Sequence, residues 1–381
     1  MFTVMDSCPF GLGAVVVHFN RYPTLLVAVA RRIFGLFVAA YFDDCIHAEP
    51  QAFAAEAGHL FTDVLGCFGT PPRPAKCHEM AAHRVFLGAA VTMLRDGDSL
   101  AVVVAPKDGT RRKLVNDIQE AIDTRTLTPA RAGKLRGQSG WLASNSFGRI
   151  GRLGQAVLKQ VQYGNRHVLD EDAVVALRFH LTIILTVPPR TIQLRAEPVR
   201  PLILYTDAEF TEHNLPNIGI LLFRDPPMVP RGFAMELPGA LVATWSERRQ
   251  QIFPAETAAV PIALAVLQHV VAGRDVIAFV DNEAAVSALV RGTSRATDAA
   301  QLAEVTHAIL LRLSCRLWIE RTDSISNPAD GLSREGLDDP WTMRQGYELE
   351  HLQGMFSRHQ PQTRSAGRMN CYIGGVRVES E

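Results

Sequence analysis

The chain has 381 residues, of which 47% are hydrophobic and 20% are charged. These fractions allow a sizeable buried core and two or three domains, and they exclude a disordered chain. Lys plus Arg and Asp plus Glu both number 39, so the net charge does not indicate a polyanionic partner.

The six cysteines contain no CxxC pair, so the sequence indicates neither a disulfide framework nor a zinc ribbon. A reducing, intracellular compartment, cytoplasmic or nuclear, is therefore the default expectation. The longest apolar stretch, residues 25–40, is interrupted by Arg31 and Arg32. It is too short for a membrane span, so we expect no membrane partner.

The first hundred residues predict two helices and a hairpin. The segment Cys8–Gly13 leads into apolar residues 14–30, and residues 51–66 also have helical spacing. Between them, an apolar run at 35–40 is followed by Tyr41-Phe42-Asp43-Asp44, which predicts a β-hairpin whose tight turn carries both aspartates. Lys76 and the triplet Phe86-Leu87-Gly88 follow.

The order PFGL, YFDD, lysine, FLG resembles the palm of reverse transcriptases from long-terminal-repeat and related retroelements. The resemblance implies a partial palm at residues 1–100. In that family the pair Asp43 and Asp44 after Tyr41 holds divalent metal, and Lys76 lies near nucleic acid. A palm also needs a third aspartate upstream of PFGL, and Asp6 lies too close to it. We therefore expect a polymerase remnant that lacks the N-terminal part of the enzyme.

Residues 101–187 are predicted to be helical, and they contain a basic run without acidic residues. Between residues 125 and 166 there are eight basic side chains. A phosphate backbone suits such a run, and so does an ordinary solvated helical face. The resemblance places thumb and connection helices here, which favours nucleic-acid contact. The predicted contact residues are Arg131, Lys134, Arg136, Arg149 and Arg152. Residues 188–200 are predicted to be a linker.

From residue 201 the pattern predicts three strands, a helix, a strand, helices and a final strand. The predicted strands are 202–206, 218–223, 232–237, 275–280 and 316–321, and the predicted helices are 255–272, 283–291 and 298–313. This is the order of the ribonuclease H fold. The expected fold class is α/β (α+β), with a mixed five-stranded sheet and flanking helices at residues 201–340.

Four carboxylates stand at the ends of these predicted elements: Asp207, Glu256, Asp281 and Asp330. Hydrolysis of a phosphodiester by two divalent metals needs several hard oxygen ligands that converge on ions roughly 4 Å apart. Each residue alone has an ordinary explanation as a turn, cap or helix-dipole residue. Glu247 is a rival for the helix carboxylate, although it precedes Pro254. Four such residues in this order favour a metal site.

The segments Val280–Leu289 and Asn327–Arg334 resemble the ribonuclease H domain of retroelement polyproteins, above all of tyrosine-recombinase-type elements. The resemblance implies two Mg²⁺ or Mn²⁺ ions bound by Asp207, Glu256, Asp281 and Asp330, and cleavage of RNA in RNA:DNA hybrids. The alternative is a catalytically inactive relic that binds nucleic acid or serves as a domesticated scaffold. Residues 341–381 match no pattern and are predicted to be a tail.

Overall fold

The computed structural model describes residues 13–97, 99–144, 148–164, 167–194, 199–211, 214–352, 371–373 and 376–378. The chain divides into two compact units, Met1–Val103 and Val104–Glu381. Both helices and strands are abundant, so the predicted α/β class is confirmed. Within the described ranges, no helix combines the length and apolar character that a membrane crossing needs.

The first unit contains two helices, a hairpin and the start of a second sheet. Its elements are α1 (Gly13–Ile33), β1 (Val38–Tyr41), β2 (Asp44–His47), α2 (Ala54–Cys67), β3 (His83–Phe86), β4 (Ala89–Asp96) and β5 (Ser99–Pro106), which ends in the second unit. The helices pack on the hairpin through a small core. This core contains Ala30, Leu36, Val38, Ala57 and Phe61. The residues Cys8–Leu12 lie outside the described part of the chain.

The predicted hairpin at the YFDD segment is confirmed. β1 and β2 pair antiparallel, with Tyr41 opposite Asp44. Phe42 and Asp43 therefore form the turn, and Asp44 is the first residue of β2 rather than a turn residue. Phe42 has a φ of 54°, a left-handed conformation that a two-residue hairpin turn requires.

The second unit begins with a bundle of four helices, which we call the helical region. The helices are α3 (Asp108–Thr124), α4 (Pro129–Leu142), α5 (Arg152–Tyr163) and α6 (Glu171–Thr186). Leu114, Ile118 and Ile122 recur every four residues on α3, and all three are buried in the core of the bundle. The Thr128 and Asp170 side chains cap α4 and α6 by accepting backbone hydrogen bonds.

The predicted helical character of residues 101–187 holds from residue 108 onward, because β5 continues to Pro106. The predicted linker at 188–200 contains a strand, β6 (Arg190–Leu194). Turn residues Pro188 and Pro189 favoured a linker, but the alternation of polar and apolar residues after them also suits a short strand.

The rest of the second unit is built on a six-stranded sheet, and we call residues 202–352 the sheet region. Its strands are β7 (Leu202–Glu209), β8 (Asn217–Phe223), β9 (Arg231–Glu236), β10 (Asp275–Val280), β11 (Arg316–Arg321) and β12 (Glu348–His351). Its helices are α7 (Gly239–Val242), α8 (Ile252–Val266), α9 (Gln268–Val271), α10 (Glu283–Arg291), α11 (Thr297–Arg312), α12 (Asp330–Arg334) and α13 (Pro340–Arg344). A short hairpin, β13 (Cys371–Ile373) and β14 (Val376–Val378), follows.

The strand order is β11-β10-β7-β8-β9-β12. β7, β8 and β9 form an antiparallel meander, whereas β10 and β11 run parallel to β7. The five predicted strands and their order are confirmed. The prediction that a tail starts at residue 341 was wrong for Glu348–His351, which pairs with β9 as β12. Four alternating polar and apolar residues were too short a signal for a strand.

The predicted helix at 255–272 differs at both ends from the observed one. α8 starts at Ile252, so Pro254 lies inside its first turn, where the missing N–H would have no helical partner anyway. Glu256 therefore lies in the second turn of α8, whereas a helix that started at residue 255 would have it in the first turn. The helix ends at Val266, and α9 follows as a separate short helix.

Helices cover both faces of the sheet. Leu202, Leu204 and Ile220 of β7 and β8 face α8, whose side chains are buried almost all round. Leu221 of β8 points the other way and packs on α12. A side chain at Gly219 would meet the Ala329 carbonyl oxygen and the Ser333 nitrogen of α12, so only glycine allows this close approach.

A buried carboxylate joins the helical region to the sheet region. Glu304 of α11 is 2% exposed and accepts backbone hydrogen bonds from Gly151 and, at 3.4 Å, from Leu153. These donors are at the start of α5, where helical N–H groups lack internal partners. Burial raises the pKa of Glu304 to about 7, although these hydrogen bonds and Arg152 act to lower it.

The Glu304 contact predicts a specific pH dependence of stability. Since the folded pKa is raised from 4.5 to about 7, the contribution of this group is complete below pH 4.5 and is lost as pH rises to about 7. Between these two pH values, the free energy of unfolding should fall by at most about 3 kcal/mol more in the wild type than in Glu304→Gln. Urea unfolding at pH 4.5 and pH 7.5 measures this difference, with the exposed Glu283→Gln as a control. Equal pH dependence in the wild type and Glu304→Gln would contradict the assignment.

Candidate metal centre

Strand pairing places two aspartates side by side. β10 runs parallel to β7, and Val280 lies opposite Thr206. The next residues along the two strands are Asp281 and Asp207, so both carboxylates come to the same edge of the sheet. Asn282 then caps α10, because its side chain accepts a hydrogen bond from the Ala285 nitrogen at 3.1 Å. This cap turns the chain away directly after Asp281.

Glu256 of α8 completes a group of three carboxylates. One oxygen from each of Asp207, Glu256 and Asp281 lies within 4.8 Å of the other two. Asp207 and Glu256 are each 3% exposed, whereas Asp281 is half-buried. In the described ranges, this is the one group of three His, Cys, Asp or Glu side chains spaced closely enough to share an ion. Three of the four predicted ligands therefore converge.

Neutral donors orient Asp207. The Asn327 side-chain amide donates to Asp207 Oδ1 at 3.0 Å and to the Thr206 carbonyl at 3.1 Å. The Ser333 hydroxyl donates to Asp207 Oδ2 at 2.5 Å. The Ala329 nitrogen donates to Asn327 Oδ1, which fixes the orientation of the amide. Both oxygens of Asp207 are thus engaged from the side of α12.

The Glu256 carboxylate is only half satisfied. The Ala208 nitrogen donates to its Oε1 at 3.3 Å, while its buried Oε2 has no hydrogen-bond partner among the described residues. A buried carboxylate oxygen without a donor is costly, and a bound cation removes that cost. Asp281 Oδ2 accepts a hydrogen bond from the Ser324 hydroxyl at 2.7 Å.

Burial and mutual repulsion set the electrostatics of the group. Burial raises the pKa of Glu256 to about 10, and the neighbouring Asp207 and Asp281 charges raise it further. Burial likewise raises the pKa of Asp207 to about 7, against the lowering effect of Ser333. Without a counter-cation, protons must neutralise part of the group at pH 7. The donors are all carboxylate oxygens, which suit Mg²⁺ or Mn²⁺. The residues therefore fit a divalent hard cation.

Asp330, the fourth predicted ligand, lies outside the close group. It is the first residue of α12, and its carboxylate pairs with Arg334 at 2.8 Å. Burial raises its pKa, and the charge of Asp281 contributes to the same direction, so the two carboxylates are electrostatic neighbours. The rival Glu247 is exposed in the loop before α8.

The predicted polymerase residues do not form a comparable group. Tyr41, Asp43 and Asp44 are all exposed on the hairpin. In the described part of the chain, no third His, Cys, Asp or Glu completes an ion-binding group around the two aspartates. Lys76 is exposed at the end of a short 3-10 helix, Pro74–Lys76.

The predicted basic run is partly neutralised by acids from elsewhere in the chain. Arg131 pairs with Glu120 at 2.5 Å and lies 3.8 Å from Asp117. The Arg136 guanidinium lies 5.3 Å from the centre of the Tyr163 ring. Lys134, Arg149 and Arg152 are exposed. Charge counted along the sequence therefore overstated the basic character of this surface.

Sequence reasoning missed the residues that orient the carboxylates. Asn327 and Ser333 lie in the Asn327–Arg334 segment, in which Asp330 was the one residue predicted to belong to the site. Ser324 precedes that segment in a 3-10 turn, Ser324–Ser326. The sequence does not show that α12 packs on β7 and β8. This packing brings the Ser333 hydroxyl to Asp207, which lies 126 positions earlier in the chain.

Comparison with known proteins does not identify a function, so the assignment of the metal centre rests on the side chains described above. The sequence matches no protein-family model, and it matches no curated protein. Among solved structures, RNase H1 from the halophilic archaeon Halobacterium salinarum NRC-1 is 19% identical, with a TM-score of 0.29. The similarity covers 37% of this chain and 99% of that one. A similarity of this size carries no functional argument.

The three carboxylates predict that divalent metal stabilises the protein. At pH 7.5, Mn²⁺ or Mg²⁺ at 100 times its dissociation constant should add about 2.7 kcal/mol to the free energy of unfolding. Glu256→Gln should be more stable than the wild type without metal, because the wild type must take up a proton at pH 7.5 to bury this carboxyl group, whereas Gln is neutral in both states. The variant should gain nothing from metal. Urea unfolding with and without metal measures both effects.

The double variant Asp43→Asn, Asp44→Asn is the matched control, because it removes two exposed carboxylates of the other predicted site. It should keep the full gain from metal. The assignment is wrong if Glu256→Gln responds to metal as the wild type does.

Proposed function

We propose that the chain derives from a retroelement reverse transcriptase/ribonuclease H polyprotein and that its sheet region hydrolyses RNA in RNA:DNA hybrids. The observation that carries the proposal is the convergence of Asp207, Glu256 and Asp281 from a strand, a helix and a strand end. The order of elements around them is the one predicted for a ribonuclease H fold.

The proposal assigns a role to each side chain of the centre. Asp207 and Asp281 hold metal, and Asn327, Ser333 and Ser324 keep their oxygens in place. Glu256 offers its unpartnered Oε2 to a cation and to the attacking water. Bound Mg²⁺ or Mn²⁺ supplies the Lewis acidity that activates water and stabilises the leaving oxygen of the phosphodiester.

Asp330 is the fourth ligand in this proposal, bound after it exchanges its ion pair with Arg334 for metal. The Asp330 side chain is partly exposed and that of Arg334 is exposed, so the exchange costs little, because surface ion pairs contribute at most about 1 kcal/mol. The hairpin with Tyr41, Asp43 and Asp44 is the polymerase remnant, and we assign it no part in hydrolysis.

The second candidate is a nucleic-acid-binding relic without turnover. The ion pair between Asp330 and Arg334 favours it, since a site that has lost its fourth ligand can retain its fold. The two candidates differ in one observable, which is hydrolysis of the bound hybrid.

Hybrid cleavage decides between them. An end-labelled RNA:DNA hybrid should be cut in its RNA strand by the wild type with Mg²⁺ or Mn²⁺, and not with EDTA. Asp281→Asn should lower the rate by more than about 100-fold, because loss of a metal ligand exceeds the effect of losing a residue that orients one. Single-stranded RNA and duplex DNA serve as substrate controls.

The control variant Asp43→Asn, Asp44→Asn should cleave at the wild-type rate. Cleavage that survives EDTA, or that is unchanged in Asp281→Asn, would exclude the metal centre as the active site. Binding of the hybrid with no cleavage under any metal condition would instead support the relic.

A further inference from the structure

Four arginines from two distant segments share one surface of the second unit. Arg149 and Arg152 lie at the start of α5, Arg291 is the last residue of α10, and Arg295 lies in the loop before α11. All four are exposed. None of their guanidinium groups forms an ion pair or hydrogen bond with the described residues. We call these four residues the composite basic surface.

The backbone contact at Gly292 shows how close the two segments are. A Cβ at Gly292 would lie 2.8 Å from Arg149 Cβ, 3.2 Å from the Arg149 carbonyl oxygen and 3.2 Å from His307 Cδ2. Gly292 also has a φ of 68°, so glycine is required there for two reasons. Arg291 therefore directly precedes a residue in contact with Arg149.

A buried contact keeps this arrangement fixed. Glu304 of α11 accepts the backbone hydrogen bonds at the start of α5, between Arg149 and Leu153. Burial lowers the pKa of the neighbouring His307, and the charges of Arg149 and Arg152 lower it further, which places both guanidinium groups near α11. The segment of Arg149 and Arg152 is thus held against the segment that carries Arg291 and Arg295.

No exposed acid offsets these charges within the two segments. Residues 148–160 contain no acidic residue, and residues 291–304 contain only Asp298 and Glu304. Glu304 is buried; it accepts the backbone hydrogen bonds at the start of α5 and interacts electrostatically with Arg152. Asp298 is buried and pairs with Arg248. The arginines earlier in the helical region differ in this respect, because Arg125 pairs with Glu171 and Arg131 pairs with Glu120.

We propose that the composite basic surface binds the phosphate backbone of the RNA:DNA hybrid outside the metal centre. Unpaired, exposed arginines suit phosphate oxygens, and binding through the backbone does not depend on base sequence. The metal centre in the same unit fits phosphodiester chemistry, which favours a nucleic acid over other polyanions. This inference rests on the proposed function for the identity of the duplex.

Salt-dependent binding tests the proposal. Fluorescence anisotropy of a labelled hybrid is followed for the full chain in EDTA, from 50 to 200 mM KCl. Two double variants are compared with the wild type: one combines Arg149→Gln with Arg152→Gln, and the other combines Arg291→Gln with Arg295→Gln. In each, the slope of log K against log[KCl] should become less steep by about 2, since each lost phosphate contact removes about 0.9 from the slope. At 150 mM KCl, each double variant should bind at least about 10-fold more weakly.

The matched control is Arg125→Gln, Arg316→Gln, which removes the same charge from exposed arginines that are already paired with Glu171 and Asp275. It should keep the wild-type slope, and thermal melting checks that every variant is folded. Absence of binding by the wild type, a wild-type slope in either test variant, or an equal loss of slope in the control overturns the proposal.

These outcomes are independent of hydrolysis, because EDTA removes metal. A wild type that binds with the predicted slope changes but never cleaves the hybrid contradicts the nuclease activity and supports the composite basic surface.

Discussion

The close burial of Asp207 and Glu256 is the constraint on which the rest of the site depends. Each is 3% exposed, and burial raises the pKa of both carboxyl groups; the charges of Asp207 and Asp281 raise that of Glu256 further. Two carboxylates placed so deeply destabilise the folded chain unless protons or a cation neutralise them. The surrounding residues meet this demand only in part, since none of the described residues donates a hydrogen bond to Glu256 Oε2. The site therefore fits a divalent cation.

The sheet supplies the geometry of this arrangement. Parallel pairing of β10 with β7 aligns Asp281 with Asp207, and the buried helix α8 brings Glu256 from one face. From the other face, α12 packs closely on β8 because residue 219 is a glycine. That approach delivers Asn327 and Ser333 to Asp207, so both layers of the domain contribute to one centre.

The sequence was sufficient for the five central strands and the main helices of the sheet region, and for three carboxylates that converge in the structure. β10, α10 and β11 were predicted with their observed bounds, because their apolar periodicity and flanking polar residues are clear. It was insufficient wherever distant segments meet. The pairing of Arg131 with Glu120, the ion pair that holds Asp330, and the hydrogen bond from Ser333 to Asp207 depend on how elements pack. Local periodicity does not report such contacts.

The same limit applies to the junction of the helical and sheet regions. Glu304 looks like an ordinary helical acid in the sequence, yet its carboxylate accepts a hydrogen bond from a backbone nitrogen 153 positions earlier. Because that contact fixes the start of α5, it also determines which arginines of the basic run lie beside α10 and α11. Composition suggested one continuous basic segment, whereas packing divides it into paired and unpaired charges.

Anomalous diffraction from crystals soaked in Mn²⁺ tests whether the three carboxylates bind a cation, because it locates the ion without any assay of activity. We expect a strong anomalous peak in contact with oxygens of Asp207, Glu256 and Asp281, and its loss in Asp281→Asn. Ordered carboxylates without a peak between them at saturating Mn²⁺, or a peak that persists unchanged in Asp281→Asn, would contradict this expectation.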